Sequence, residues 1–403
     1  MTETVRLSLD VSGVPDNPVG AGRYTIHLAE ALARRDDVAL RLWCRRGDAA
    51  RWTAITRAEL RLPGRVELGV VPSVRAVVPR ARPARLAWEQ IRLPGLLKKT
   101  DADLHHGPHY TMPERSRLPV VVTIHDLTFL EHPEWHERSK VKVFGRAITV
   151  ASRRAAALVC VSATTAERLQ RCCHPTGRVF VIPHGVDHAH FNPHEEAPGA
   201  DDEVLDRLGV RRPYIVFVGT MEPRKAVPDL VAAFDRIADS DPELSLVLVG
   251  GSGWGRPDIE RAIASARHAG RVIRSGYVAD RAVPALLRGA AVAAYPSLEE
   301  GFGLPALEAL ACGTPLVTTA GTSMAEVSGD TAVLVPPGSV DALADALVAQ
   351  LSGGPEVEDR RRRGIELAAR YTWDRCADDH LEAYQWASRA PDGPGPGADG
   401  VDR

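Results

Sequence analysis

Residues 299–313 read EEGFGLPALEALACG, in which two carboxylates, Glu300 and Glu308, bracket a Gly-Phe-Gly-Leu-Pro turn that opens an Ala/Leu-rich helix. Gly301 and Gly303 expose backbone amides without Cβ obstruction. Pro305 suits the first helical position, where its missing donor costs nothing. The helix start carries partial positive charge. Glu308, one turn inside, is placed to accept two hydrogen bonds from a ribose diol, and Glu300 to grip hydroxyls of a hexose. Glu299 reads as a solvated neighbour. Upstream, the strand-like PYIVFVGT runs into MEPRKAVPDL, which sets Arg224 and Lys225 just before a second helix. Two cations beside helix amides make a diphosphate site. The backbone at Tyr277 and Val278 is placed to read a nucleobase edge, whereas Gly250, Gly251 and Gly253 read as an ordinary flexible turn. Each feature has a plain reading by itself, as a basic turn, a loop or a helix-surface glutamate. Taken in order, a phosphate site, a diol acceptor and a sugar acceptor describe a nucleotide-diphosphate sugar.

These loops need strands to end on. Short β-rich runs alternate with helical stretches in the first half: VRLSLDVSG, YTIHLAEALARR, VALRLWCR, LPVVVTIHDL, SKVKVFGRAITVASRRA and ALVCVSA. Such alternation implies parallel βαβ units, which bind ligands at the carboxyl ends of their strands. The pattern breaks at VFVIPHGVDHAHFNP and the polar HEEAPGADDEV, then restarts with PYIVFVGT, LSLVLVGG, RVIRSGYV and AAVAAYPS. The 403 residues exceed one ordinary core. The expected fold class is therefore α/β, with two Rossmann-like doubly wound domains facing a cleft. Residues 1–190 form the first domain and 191–373 the second. A final helix at about 374–390 follows, and the Pro/Gly tail 391–403 is expected to be disordered.

Composition narrows the classes further. The chain is 44% apolar and 25% charged, with no apolar run long enough to span a membrane. Its N-terminus, MTETVRLSLD, has no signal-peptide pattern. Six scattered cysteines include no CxxC pair, so neither a zinc site nor a disulfide framework is expected. Together these point to the cytoplasm. Residues 1–190 carry 29 Lys/Arg against 19 Asp/Glu, a formal +10, and the remainder carries 21 against 33, a formal −12. The halves thus face different partners, and no nucleic-acid motif appears. The segment 75–99, with seven Lys/Arg, one acid and a Trp, suits either a solvated Arg-rich helix or a peripheral membrane contact. HHGPHY brings His105, His106 and His109 together without an acidic or thiol partner, and reads as a loop contacting acceptor rather than a metal site.

At these motifs the sequence resembles the family-4 glycosyltransferases, retaining enzymes of GT-B fold. The E-x7-E spacing in EGFGLPALE carries the resemblance, together with GAGRYTIHLAEAL, TIHDLTFLEHPEW, VSATTAERL, VIPHGVD, VGTMEPRK, SGYV and TWDRCADDHLEAY. The resemblance implies that the second domain holds an NDP-sugar donor and the first an acceptor. Lys225 and Arg224 would hold the diphosphate beside Gly219, Glu308 the ribose, and Glu300 with Phe302, Gly303 and Leu304 the sugar. Tyr277 and Val278 would face the base. Gly20 and Gly22 would approach the phosphates or the reacting centre, and His125 would sit near the transferred hexose. The final helix would return to the first domain. The family often has Arg after the glycine where this chain has Gly219-Thr220. Arg224 would then supply the missing phosphate contact.

The competing classes fit less well. A dinucleotide-dependent oxidoreductase needs G-x-G-x-x-G, and Gly20-Ala21-Gly22-Arg23-Tyr24-Thr25 lacks the last glycine. A glycoside hydrolase would use Glu300 and Glu308 as acid and nucleophile, but one of them lies inside a helix opposite a cation site. A non-catalytic sugar-nucleotide-binding protein on the same fold stays open, set against the presence of Glu300, Glu308, Lys225 and His125. The expectation is therefore a metal-independent hexosyltransferase without cofactor. On family frequency the donor is GDP-mannose, with UDP-glucose and UDP-GlcNAc open. The acceptor is a glycan, a glycolipid or a small natural product, and oligomeric state is not legible.

Overall fold

The computed structural model describes residues 4–57, 66–71, 81–251, 253 and 256–389. The tail expected from 391 and residues 75–80 of the basic segment lie outside the described residues. Two all-parallel sheets organise the chain. The first contains β1 (Val5–Asp10), β2 (Val38–Arg45), β3 (Val66–Val71), β4 (Leu104–Gly107), β5 (Val120–Ile124), β6 (Ala157–Cys160) and β7 (Arg178–Val181), in the order β3-β2-β1-β4-β5-β6-β7. The second contains β8 (Tyr214–Val218), β9 (Ser245–Val249), β10 (Val272–Gly276), β11 (Val292–Tyr295), β12 (Leu316–Thr319) and β13 (Val333–Val335), in the order β10-β9-β8-β11-β12-β13. Central strands such as VVVTI and SLVLV are buried along their whole length, because helices cover both faces of a parallel sheet. The order reverses between β1 and β4 in one sheet and between β8 and β11 in the other. Crossovers there leave in opposite directions and open a crevice at the carboxyl ends of the strands.

The first compact unit comprises residues 1–184 and 373–403, and the second 185–372. The chain therefore leaves the first unit a few residues before the position read from sequence. Val186 forms a parallel bridge with Thr372, and the His188 ring meets the Tyr371 carbonyl at 3.1 Å, so the VIPHGVD segment is tied to the second unit from Gly185 onward.

The helix Trp373–Arg389 belongs to the first unit and packs on the helix Ala21–Ala33. A buried chain of hydrogen bonds holds it there. The Nδ1–H of His380 donates to the Cys376 carbonyl at 2.7 Å, so Nε2 must accept from the Tyr24 hydroxyl at 2.8 Å. Tyr24 then accepts from Thr123 Oγ1, also at 2.8 Å. Thr123 in turn accepts from His106 Nε2–H, whose Nδ1 takes the Tyr384 hydroxyl proton, both at 2.8 Å. One proton per link satisfies all five side chains with both imidazoles neutral. Burial enforces that state, pushing His380 down to about 4 and His106 well below its ordinary value. The HHGPHY reading as a loop is corrected here. His105 and His106 lie on β4, where His105 meets Ser8 Oγ at 2.9 Å and His106 enters this chain. Tyr24→Phe deletes the hydroxyl between His380 and Thr123 and strands both buried partners, a cost of roughly 2–6 kcal/mol at about 1–3 per group. Urea unfolding should show this as a lower midpoint at unchanged slope. A loss below about 0.5 kcal/mol would mean that the chain does not hold the helix.

Candidate donor-sugar site

The loops after β8 and β11, which flank the second switch point, bring together the cations and the first acid of the sequence motif. After β8 the backbone passes Gly219 and tightens into a single helical turn at Pro223–Lys225. Ala226 follows with φ +47°, a left-handed conformation that costs a residue with a Cβ about 1–2 kcal/mol. That kink ends the turn and starts the helix Val227–Ile237, with Pro228 in its first turn. Leu298 N–H donates to the Arg224 carbonyl at 2.8 Å, tying the two loops edge to edge.

Lys225 Nζ donates to Glu300 Oε1, and Arg224 Nη1 donates to Glu300 Oε2 at 2.7 Å and to the Glu299 carbonyl at 3.1 Å. Ser297 Oγ adds a 3.0 Å bond to Oε1, and Ser323 Oγ holds the Glu300 carbonyl at 2.7 Å. Lys225 and Glu300 are both buried. Burial alone would raise the Glu300 carboxyl, but Arg224 and Lys225 outweigh it and hold the group at about 2, against an ordinary 4.5. Burial pushes Lys225 below its usual value, and Glu300 opposes that shift. The trio therefore stays as two cations around one carboxylate at neutral pH. Glu300 is consequently less open than its sequence context implied. With about two acceptor positions per carboxylate oxygen, Oε1 is filled by Lys225 and Ser297, and Oε2 retains room for one further donor.

The acid motif continues into the helix Leu304–Ala311, which begins after Gly303 at φ +103°. A Cβ at Gly303 would lie 2.6 Å from Met324 Cγ, so this glycine serves both the turn and the packing of the next helix. Glu308 is buried on that helix, near the Tyr295 hydroxyl, whose pKa burial and then Glu308 raise well above normal. Phe302 is buried with its ring 6.3 Å from Tyr371, and Leu304 is half-buried. Glu299, expected to be solvated, is only 5% exposed, because the tight turn after β11 draws it inward and its carbonyl meets Arg224. The glycines after β9 also differ from a flexible turn. A Cβ at Gly250 would strike the Gly219 carbonyl at 2.0 Å, and one at Gly253 the Met221 carbonyl at 2.3 Å. They let the backbone after β9 touch the backbone after β8. Tyr277, 65% exposed, and the buried Val278 follow β10.

His125, Gly20 and Gly22 are built into the first unit. His125 is buried after β5, and its Nε2–H donates to the Pro108 carbonyl at 2.8 Å, which leaves Nδ1 as an acceptor. Burial lowers its pKa, so the ring is neutral. Gly20 precedes the helix Ala21–Ala33 at φ +45° with nothing near its missing Cβ. Gly22 instead allows close packing, since a Cβ there would lie 3.0 Å from Pro18. Ser297 and Ser323 were missed by sequence reasoning, because neither lies in a motif and both act through contacts formed only in the folded loop pair. No group of three or more metal-ligating side chains occurs among the described residues. No described helix is long and apolar enough to cross a membrane.

Two family models match the chain, Glycosyltransferase Family 4 over residues 18–190 and Glycosyl transferases group 1 over residues 212–352. D-inositol 3-phosphate glycosyltransferase of Xylanimonas cellulosilytica is 32% identical over 295 residues, covering 68% of each chain. The chain belongs to the family-4 glycosyltransferases. O-antigen chain mannosyltransferase B of Escherichia coli is 29% identical over 307 residues, 75% of this glycosyltransferase and 77% of that protein. Other D-inositol 3-phosphate glycosyltransferase relatives are spanned for only 48% to 64% of their length. Among solved structures, Anabaena Alr3699/HepE in complex with UDP and glucose superposes with TM-score 0.72 at 18% identity, over 94% of this chain and 99% of that one. The two-unit architecture is thus GT-B.

The buried trio makes a signed pH prediction. The folded Glu300 value lies below its ordinary one, so its stabilisation is complete above pH 4.5 and is lost as pH falls toward 2. Glu300→Gln should lower the unfolding free energy by about 3 kcal/mol at pH 7, the range for breaking a buried pair. The gap to wild type should narrow at pH 3.5. Urea melts at the two pH values check this, and a gap independent of pH refutes the charge assignment.

Proposed function

We propose that this glycosyltransferase moves a hexose from an NDP-sugar to an acceptor hydroxyl with retention at the anomeric carbon and without a metal ion. The observation that carries the reading is the Arg224–Lys225–Glu300 trio at the switch point of the second sheet. Its two cations, with Glu222 also paired to Arg224 at 3.0 Å, are placed on loops where a parallel sheet binds ligands. A departing diphosphate gains negative charge as the glycosidic bond breaks, and preorganised cations in a dry site are most effective there. The incoming diphosphate competes with Glu300 for the two cations, which turns part of the carboxylate toward the sugar. Glu308 takes the ribose diol, and the backbone at Tyr277 and Val278 meets the base.

The acceptor oxygen bonds to the anomeric carbon on the face that the diphosphate leaves. The carbon–oxygen bond to phosphate breaks with its electron pair passing to that phosphate oxygen, which also takes the acceptor proton. No protein base is needed. His125, neutral and with Nδ1 as an acceptor, orients a sugar hydroxyl. GDP-mannose is the proposed donor, in keeping with the mannosyltransferase name of the E. coli relative. The UDP and glucose of the Anabaena structure make UDP-glucose the first alternative. A glycan, glycolipid or small natural product supplies the hydroxyl. A peripheral membrane contact through 75–99 would suit a lipid-linked acceptor, and among its described residues Ile91, Arg92, Lys98 and Lys99 are exposed.

A panel of NDP-sugars tested by thermal shift should single out one donor. Lys225→Ala should abolish that shift. Glu300→Ala should lower kcat by roughly 10²-fold, with donor affinity within about threefold of wild type, as for removal of one transition-state contact. Product NMR should show the donor's anomeric configuration, and activity should survive EDTA. A donor shift with no turnover on any acceptor would favour a non-catalytic binding protein. Unchanged donor affinity in Lys225→Ala would sink the diphosphate assignment.

A further inference from the structure

The first sheet has its own switch point, between β1 and β4, and it also carries a buried charge cluster. Asp10 ends β1 and Thr111 follows β4. The helix Ala81–Ile91 contributes Arg85 and, one turn on, Glu89. Arg85 Nη1 donates to Asp10 Oδ2 at 2.9 Å and Nη2 to Thr111 Oγ1 at 3.2 Å. Glu89 Oε2 lies 3.2 Å from the same Nη2, but not in line for a hydrogen bond. The Ser12 amide is held by Asp10 Oδ1 at 2.9 Å.

Two polar atoms here remain unsatisfied. Glu89 Oε2 and Ser12 Oγ have no hydrogen-bond partner among the described residues, although Glu89 is only 2% and Ser12 only 3% exposed. A buried acceptor or hydroxyl left in that state carries its desolvation cost uncompensated, and a bound hydroxyl would offset it. The neighbouring surface is accessible, since Gly13 is exposed and a Cβ there would sit 4.0 Å from Arg85 Nε. Two carboxyls share one guanidinium, so the cluster has no positive charge to offer an anion. Burial, with Arg85 opposing and Asp10 adding to it, lifts the Glu89 carboxyl to about 7. His105, whose charge Asp10 would favour, is kept neutral by burial and is bonded to Ser8.

We propose that this cluster is a recognition subsite for a neutral, polyhydroxylated ligand, with Glu89 and Ser12 bonding its hydroxyls and Arg85 positioned by Asp10 and Thr111. Calling that ligand the acceptor rests on the transferase reading, whereas the binding of a neutral polyol does not. The proposal departs from the phosphorylated compound in the names of the D-inositol 3-phosphate relatives, because a phosphate would face two carboxyls for one cation.

The test uses the whole chain and three probes, methyl α-D-mannopyranoside, myo-inositol and D-inositol 3-phosphate, titrated by ligand-observed NMR. Wild type should bind a neutral polyol at about millimolar Kd, and the phosphorylated probe no more tightly. Glu89→Gln should weaken polyol binding by about tenfold and Ser12→Ala by about threefold, on the scale of one hydrogen bond. The donor thermal shift should stay constant in both variants. Should Glu89→Gln fail to fold, Ser12→Ala decides alone. Unchanged polyol affinity in the folded variants overturns the subsite. So does a tenfold preference for D-inositol 3-phosphate, or the absence of polyol binding to wild type. A polyol site that depends on Glu89 without any donor shift would instead sink the transferase reading and leave the subsite standing.

Discussion

A buried charge must be matched where it sits, and the second unit is arranged around that constraint. Lys225 and Glu300 are both shielded from water, so neither tolerates the loss of the other. Arg224, Ser297 and Ser323 then fix the carboxylate and its carbonyl. To deliver these groups the loops after β8 and β11 must lie edge to edge. The left-handed Ala226 and the bond from Leu298 N–H to the Arg224 carbonyl bring that about, while Gly219 and Gly250 let the loop after β9 close against the loop after β8. The parallel sheet supplies the place, and the ion cluster dictates the loop conformations.

The same constraint separates binding from stability in this site. Glu300 neutralises charge on Arg224 and Lys225, so the loops satisfy their own buried groups. On the proposed function, a bound diphosphate would replace one carboxylate partner of the cations and free acceptor capacity on Glu300. Sugar recognition would thereby be coupled to phosphate occupancy through shared lone pairs.

Much of this was legible in the sequence, for physical reasons that differ by element. The strands around VVVTI and LVLVGG were readable because a sheet covered on both faces demands unbroken apolar runs. The acids and cations were readable because Gly, Pro and charge cluster where a strand ends and a helix starts. β4 was not, since LHHG carries two histidines whose burial depends on Tyr24, Tyr384 and Thr123, all distant in sequence. The glycines at 250 and 253 looked like flexibility because the backbones they admit belong to another loop. Glu299 looked solvated because nothing local reveals that the turn draws it inward. The serines that complete the Glu300 shell have no motif, and the exit from the first unit depends on pairing between Val186 and Thr372.

The two switch points also show why summed charge misleads about chemistry. Residues 191–403 are formally −12, yet the loops at their switch point hold two cations, Arg224 and Lys225, against Glu300 and Glu222. Residues 1–190 are formally +10, yet their switch point presents two carboxyls to one guanidinium. Over the surface, excess charge is screened within about 8–10 Å by salt, so it shapes solubility and long-range attraction. Inside the crevices screening fails, and the nearest few groups set the potential. Each sheet thus carries at its reversal a cluster whose balance differs from that of its half of the chain. On the proposed function, the cations of the second unit would take the anionic part of a donor, and the cluster of the first a neutral, hydroxyl-rich partner.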